Sequence, residues 1–502
     1  MLKPIIRCTL ASCFAITISF NPALAAAPAG KNVENNQPHA VYPGWSRPPG
    51  PGKNYDTWKD ASGPDVGDTK VDPTRLPSRV DNSERPQFPP IYRQKWGACG
   101  QFASVASVFT YEMNILDGTI ADSDATRFPA HFSWNMINRA ENVGSEAYHG
   151  WEVAKRIGIP TAQSYGGVRL NEIGLWPNGY DIWHNAMHHR VAGYRYTPAL
   201  TVEQLNEARG WLFDRNQANA PLDVIGGVFA IDGRMGKGKD RDKVTVKIAK
   251  GEHEEGEGLW TAWSATGFGH GMACVGYDDQ VGYDRNGDGQ ITNDKDINDD
   301  GKVTLADWER GAWIVVNSWG QKWSDDGKIY LLYSAMADDT WPRGKYIGRV
   351  EVTRHQPRIT ARLKIACDNR TEMRMTIGIA SDLNAEQAEH RFAPEAFNGW
   401  PLFGRTHAGN VPIAGPDNLD PIEVGIDLTD LFEAHDSDIN NARVFITLTR
   451  KDGSQATGTL HEAAIRLYDE QGNLQREIPI TVGDGTFGEK PLNLSASTKA
   501  TK

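Results

Sequence analysis

The chain has 502 residues, 39% of them hydrophobic, with 53 basic against 64 acidic residues, a formal charge of −11 and five cysteines. That length and apolar content suffice for two or more folded units, while the acidic balance argues against a nucleic-acid partner and the few cysteines against a disulfide framework. Beyond the N-terminal segment no run is long and apolar enough to cross a bilayer.

In chain order, Lys3 and Arg7, the apolar run from Cys8 to Phe20 and Ala23-Leu24-Ala25 read as a secretory signal peptide over 1–25, cleaved after Ala25. The expected location is periplasmic or extracellular, with a charge of −13 once Lys3 and Arg7 are removed. Lipidation at Cys13, after Leu10-Ala11-Ser12, is the alternative, disfavoured because the apolar run continues past that cysteine. Residues 26–78, rich in Pro and Gly as in Arg47-Pro48-Pro49-Gly50-Pro51-Gly52, read as a linker or a propeptide-like leader. Apolar residues then fall at Phe102, Val105, Ala106, Phe109 and Met113, predicting a helix that starts at Cys99. Further helices are predicted at 150–156 and 202–215, and strands at 224–231, 271–277, 313–317 and 328–333. After Arg354, short alternating runs such as Ile359 to Ile365 and Arg443 to Leu448 predict a β-sandwich-like domain over 356–485, followed by a polar tail over 486–502.

Of the cysteines, only Cys99, Cys274 and Cys367 follow the signal segment. A cysteine attacks as its thiolate, and a helix N-terminus with a nearby imidazolium can lower a thiol from about 8.5 to about 3.5. Cys99 has the helix. His270 opens the small-residue strand Gly269-His270-Gly271-Met272-Ala273-Cys274 and is the candidate base. Asn317, in Asn317-Ser318-Trp319-Gly320, offers a side-chain carbonyl to hold the ring, with tryptophan beside it to exclude water.

The order Cys, His, Asn over residues 79–355 resembles the papain-like cysteine peptidases. Asn317-Ser318-Trp319-Gly320-Gln321-Lys322-Trp323 with the following Gly327 is similar to the family's Asn-Ser-Trp-Gly signature, and His270 to Tyr277 to its His-Ala-Val-xx-Val-Gly-Tyr run. The resemblance implies an α+β, two-lobed papain-like catalytic domain (a helical lobe plus a β lobe), thiolate attack on peptide or protein substrates, an acyl-enzyme intermediate, and no catalytic cofactor. It also implies that Gln94 helps the Cys99 N–H stabilise the oxyanion, worth on the order of 3 kcal/mol. Gln94 stands five residues before Cys99, where the family's glutamine stands six before, so Gln101 is kept as a fallback donor. Trp96 and Gly100 replace the family's cysteine and tryptophan, and the 171 positions from Cys99 to His270 exceed the family's roughly 130–150. A polar surface insertion over 233–258 accounts for the excess.

A second motif lies in an insertion at about 280–309. Calcium loops place oxygen ligands at positions 1, 3, 5, 9 and 12, a backbone carbonyl at 7 and glycine at 6. Asp296, Asn298, Asp300, Gly301, Lys302, Thr304 and Asp307 fill those positions. Asp284, Asn286, Asp288, Gly289, Gln290 and Thr292 do so up to position 9, but Lys295 stands at position 12. Asp294 or Asp296 is the expected substitute, and a structural calcium ion the expected cofactor. Two other functions use the same sequence: a catalytically inactive papain-like binding protein, and a secreted adhesion or glycan-binding protein led by the C-terminal β domain, which in a peptidase would bind substrate or a surface.

Overall fold

The computed structural model describes residues 72–500 except 139, 171, 216–223, 236–244, 248–257, 264–266, 338–341 and 400–409. The signal segment, most of the leader and most of the 233–258 insertion lie outside the described residues.

The fold is mixed α and β. Nine strands among the described residues form one sheet: β1 (Arg79–Asp81), β2 (His189–Pro198), β3 (Phe229–Met235), β4 (Thr245–Lys247), β5 (Gly258–Trp260), β6 (Phe268–Gly282), β7 (Arg310–Val316), β8 (Lys328–Leu332) and β9 (Tyr346–Arg354). Their order is β2-β9-β3-β6-β7-β8-β5-β4, with β1 also on β6. β6 is central and covered on both faces, so it reads as one apolar run rather than an alternation. Ala273 and Val275 join one buried cluster with Val105, Val108 and Phe109. Met272 and Cys274, of opposite parity, join another with Trp211, Leu212 and Trp313.

The helix that starts at Cys99 runs to Asp117, but its stretch Phe102–Phe109 is wound as a π-helix. The sequence predicted one inward face here. Instead every residue from Phe102 to Asn114 is buried, because the helix is packed all round. Helix Ala147–Arg156 crosses it closely: a Cβ on Gly150 would sit 2.2 Å from the Gln101 side-chain oxygen, and Trp151 Nε1 donates to the Ser104 carbonyl at 3.1 Å. The helix at Ala130–Ile137 was not predicted from the sequence.

C-terminal to β9, Ile359–Cys367, Ile422–Asp427, Gly458–Tyr468, Leu474–Ile480 and Thr486–Phe487 form one antiparallel sheet. Met373–Ala380, His390–Phe392, Arg443–Arg450 and Leu492–Ser497 form a second. Alternate residues (Ile359, Ala361, Leu363 and Ile365; Met373, Met375, Ile377 and Ile379) are buried in one cluster, the period-two signature of a one-sided strand. Residues 492–497, read from sequence as tail, pair with Arg443–Arg450 as an edge strand. Polar bonds join these sheets to the preceding part of the chain. Tyr180 Oη lies 2.7 Å from Thr360 Oγ1 and 2.6 Å from Tyr468 Oη, and the buried Arg190 pairs with Asp427, which also accepts from His355 Nε2 at 2.6 Å.

Candidate active site

Two glycines let the Cys99 helix pack closely, Gly271 where it meets the central strand and Gly100 where it meets the segment before helix Ala147–Arg156. A Cβ on Gly271 would lie 2.8 Å from Gly100 Cα, and one on Gly100 only 2.0 Å from the Ser145 carbonyl oxygen. A side chain at Gly271 would force the helix away from β6, and one at Gly100 would force it away from the Ser145–Glu146 backbone. With both absent, the Gly271 N–H, one residue after His270, is directed at the Cys99 sulfur. Sequence reading passed over this pair, and its signal was the glycine standing where the resembled family has tryptophan.

Cys99 is 8% exposed and stands at the helix start, where Ala98 supplies no side-chain cap. Burial pushes its thiol up. The N–H groups of Gly271, Gly100 and Cys99 itself oppose that, and the Asp232 carboxylate adds to it. A nearby proton acceptor is therefore needed to generate thiolate.

His270, 3% exposed, meets that need in orientation. Its Nε2 lies 2.8 Å from Oδ1 of the fully buried Asn317. An amide oxygen only accepts, so Nε2 carries the hydrogen and Nδ1 is the basic nitrogen. The Trp319 ring packs on the imidazole with centroids 5.0 Å apart. Asn317 follows β7 directly, and its backbone N–H donates to the Gly327 carbonyl at 2.9 Å, so its backbone is held by the turn into β8.

Gln94 lies beside this pair. Its N–H donates to the Ser318 carbonyl at 2.7 Å, its side-chain oxygen accepts from Ser318 Oγ at 2.6 Å, and its Nε2 donates to the Trp96 carbonyl at 2.9 Å. One amide hydrogen has no acceptor among the described residues. The shortened Gln94-to-Cys99 spacing is accommodated by Trp96, which takes φ +63°, a left-handed conformation that costs of order 1–3 kcal/mol for a bulky residue. Gln101 is not a spare donor. Its Nε2 gives both hydrogens, to Ser145 Oγ at 2.9 Å and the Glu146 carbonyl at 3.0 Å, and its oxygen accepts from Ser133.

No protein-family model and no curated protein matches the chain. Among solved structures it is similar to xylellain, a cysteine protease from Xylella fastidiosa, at 14% identity over 56% of this chain and 87% of that one, with TM-score 0.35. It is also similar to the ragweed pollen cysteine protease Amb a 11 in its proform (18%, 55% and 65%, TM-score 0.35) and to proCathepsin B S9 from Trypanosoma congolense (14%, 57% and 80%, TM-score 0.36). At those identities the chemistry must be read from this chain's own atoms.

The two acidic loops follow β6. In the second, Asp296 accepts from the N–H groups of Asp300 and Gly301, and Asp307 from those of Ile297 and Thr304, at 2.7–3.3 Å. In the first, Asp284 accepts from Gly287, Asp288 and Gly289. The expected substitutes for Lys295 do not close this loop. The fully buried Glu309 does, accepting from Arg285, Asn286 and Thr292, so it stands to loop positions 2 and 9 as Asp307 does in the second loop. Being seventeen residues from Thr292, Glu309 lay outside the register a local motif can show. Lys295 Nζ instead pairs with Asp288 at 2.5 Å. Among the described residues no three His, Cys, Asp or Glu side chains are grouped to hold a metal on their own. Asn286, Asn298, Thr292 and Thr304 are the further oxygen donors, and Thr292 Oγ1 is buried with no hydrogen-bond partner.

Proposed function

We propose that the protein is an exported cysteine peptidase that hydrolyses peptide bonds through Cys99, His270 and Asn317. One observation carries the reading: the Nε2–Oδ1 bond of 2.8 Å between two buried side chains turns His270 Nδ1 into the basic atom, on a strand whose next N–H is directed at the Cys99 sulfur. Proton transfer from Cys99 Sγ to Nδ1 gives the thiolate, which attacks the substrate carbonyl carbon. The Cys99 N–H and the remaining Gln94 N–H stabilise the oxyanion. His270 then returns its proton to the leaving amine, and the carbonyl stays on sulfur as a thioester. Water, deprotonated by His270, attacks the thioester, releasing the acid and restoring the thiol.

Calcium is the cofactor of this proposal, in a structural role. Asp296, Asn298, Asp300, Thr304, Asp307 and the Lys302 carbonyl would hold one ion, and Asp284, Asn286, Asp288, Thr292 and Glu309 a second. The buried, unpartnered Thr292 Oγ1 favours that fit, and calcium would brace the segment that leads into β7. The C-terminal sheets form a β-sandwich-like module that binds substrate or a surface.

The raised Cys99 thiol favours a second reading, an inactive binding protein. A fluorogenic peptide library decides, with signal-free protein and Cys99→Ala assayed under reducing conditions, with calcium and with chelator. Turnover lost in Cys99→Ala supports the peptidase. No turnover in any processed form overturns it.

A further inference from the structure

Beside the His270–Trp319 pair lies an open cleft of about 470 Å³ lined by Arg93, Gln94, Trp319, Lys322 and Trp323, a volume in the range of ligand pockets. Its walls are tied together. Arg93 and Trp319 form an antiparallel bridge, and a Cβ on Gly320 would touch the Arg93 side chain at 3.3 Å. Both charged lining residues are cationic. Arg93 and Lys322 are exposed, and neither makes an ion pair among the described residues, although the chain as a whole carries −11. Arg169 brings a third cationic group, its guanidinium, to the Arg93 carbonyl.

The side of the scissile bond that this cleft serves follows from the proton path. His270 must deliver its proton to the leaving amine, so the leaving portion of the substrate lies on the imidazole's side of Cys99. Trp319 packs on that imidazole and is also a wall of the cleft. Resting on the peptidase reading, we propose that the Arg93–Lys322 cleft selects substrates carrying a carboxylate just beyond the scissile bond. That carboxylate belongs either to an Asp or Glu side chain or to the free C-terminus of a short leaving peptide. Trp319 and Trp323 supply the apolar walls for the stem, and the two cations attract the charge.

The test compares kcat/KM for matched internally quenched peptides with Glu or Gln at the first and second positions after the scissile bond, each with a free or an amidated C-terminus. With the full signal-free protein the acidic peptide should be favoured about tenfold at low salt, falling as salt rises. In Arg93→Gln/Lys322→Gln the ratio should approach one, and in Lys322→Glu it should invert. The ratio cancels any loss common to both peptides. A preference for Glu with either terminus assigns the side-chain carboxylate, and one that vanishes on amidation assigns the chain terminus. Equal rates for all peptides, or a preference unmoved in both variants, overturn the proposal and leave the peptidase intact. If nothing is hydrolysed the peptidase reading fails. The cleft is then judged by fluorescence anisotropy of the same peptides on Cys99→Ala, where equal affinities overturn it and a preference lost in Arg93→Gln/Lys322→Gln supports it.

Discussion

His131 should make this protein acid-sensitive next to its candidate active site. It is fully buried between Phe102 and Trp134. Its Nδ1 accepts from the Leu170 N–H at 2.9 Å, and its Nε2 lies 3.3 Å from the Lys95 carbonyl, in the segment joining Gln94 to Cys99. Burial, with the Arg169 and Lys95 charges adding to it, pushes the imidazole down from 6.5 to about 4. Folding lowers this pKa, so the stabilisation is complete above about pH 6.5 and is lost as pH falls from there toward about 4. At 1.36 kcal/mol per unit, the loss from this one group is about 2 kcal/mol at pH 5 and about 3 kcal/mol below pH 4. His184 and His189, pushed down to about 4 and about 3 by burial, add to the same slope.

Urea unfolding followed by tryptophan fluorescence at half-unit steps from pH 7.5 to 4.5 measures it. His131→Gln keeps an acceptor and a donor but cannot titrate. Its stability should therefore fall less steeply than that of the parent by about 1.4 kcal/mol per pH unit below 6.5. Any constant offset between the two leaves that slope difference unchanged. Parallel curves would refute the reasoning.

Asn317→Ala removes the acceptor of a hydrogen bond that is charge-assisted once the imidazole is protonated. About 1.5–3 kcal/mol of lost stabilisation corresponds to roughly a 10- to 100-fold drop in kcat/KM, and an unchanged rate would refute the orienting role. Gly100→Ala should drive its Cβ into the Ser145 carbonyl and displace the start of the helix, costing about 1–3 kcal/mol in thermal unfolding and changing the rate at which iodoacetamide alkylates Cys99. A variant that folds and reacts as the parent does would exclude the glycine contact. Glu309→Gln replaces one acceptor oxygen by a donor facing backbone N–H groups, so the rise in Tm that calcium gives over chelator should shrink. An identical calcium shift in the two proteins would remove Glu309 from the first loop.

Much of the candidate site's make-up was legible in the residues. A cysteine before an apolar run, a histidine opening a small-residue strand and an asparagine flanked by tryptophan are local patterns, and local patterns survive in a linear string. So does the second acidic loop, whose oxygen donors fall within twelve consecutive residues. The alternating strands after Arg354 were legible for the same reason, since period two is a property of neighbours.

Tertiary structure decided what depends on distant partners. The fit of Gly100 against Gly271 joins positions 171 residues apart, and the closure of the first loop by Glu309 reaches past the loop's own register. Burial of every residue from Phe102 to Asn114 erased the one-faced pattern expected of that helix. Leu492–Ser497 looked like tail because a half-exposed edge strand carries little apolar signal until its partner, Arg443–Arg450, is in place. The cation-lined cleft arises the same way: Arg93 and Lys322 stand 229 positions apart in sequence, and the bridge between Arg93 and Trp319 helps bring them to one cleft.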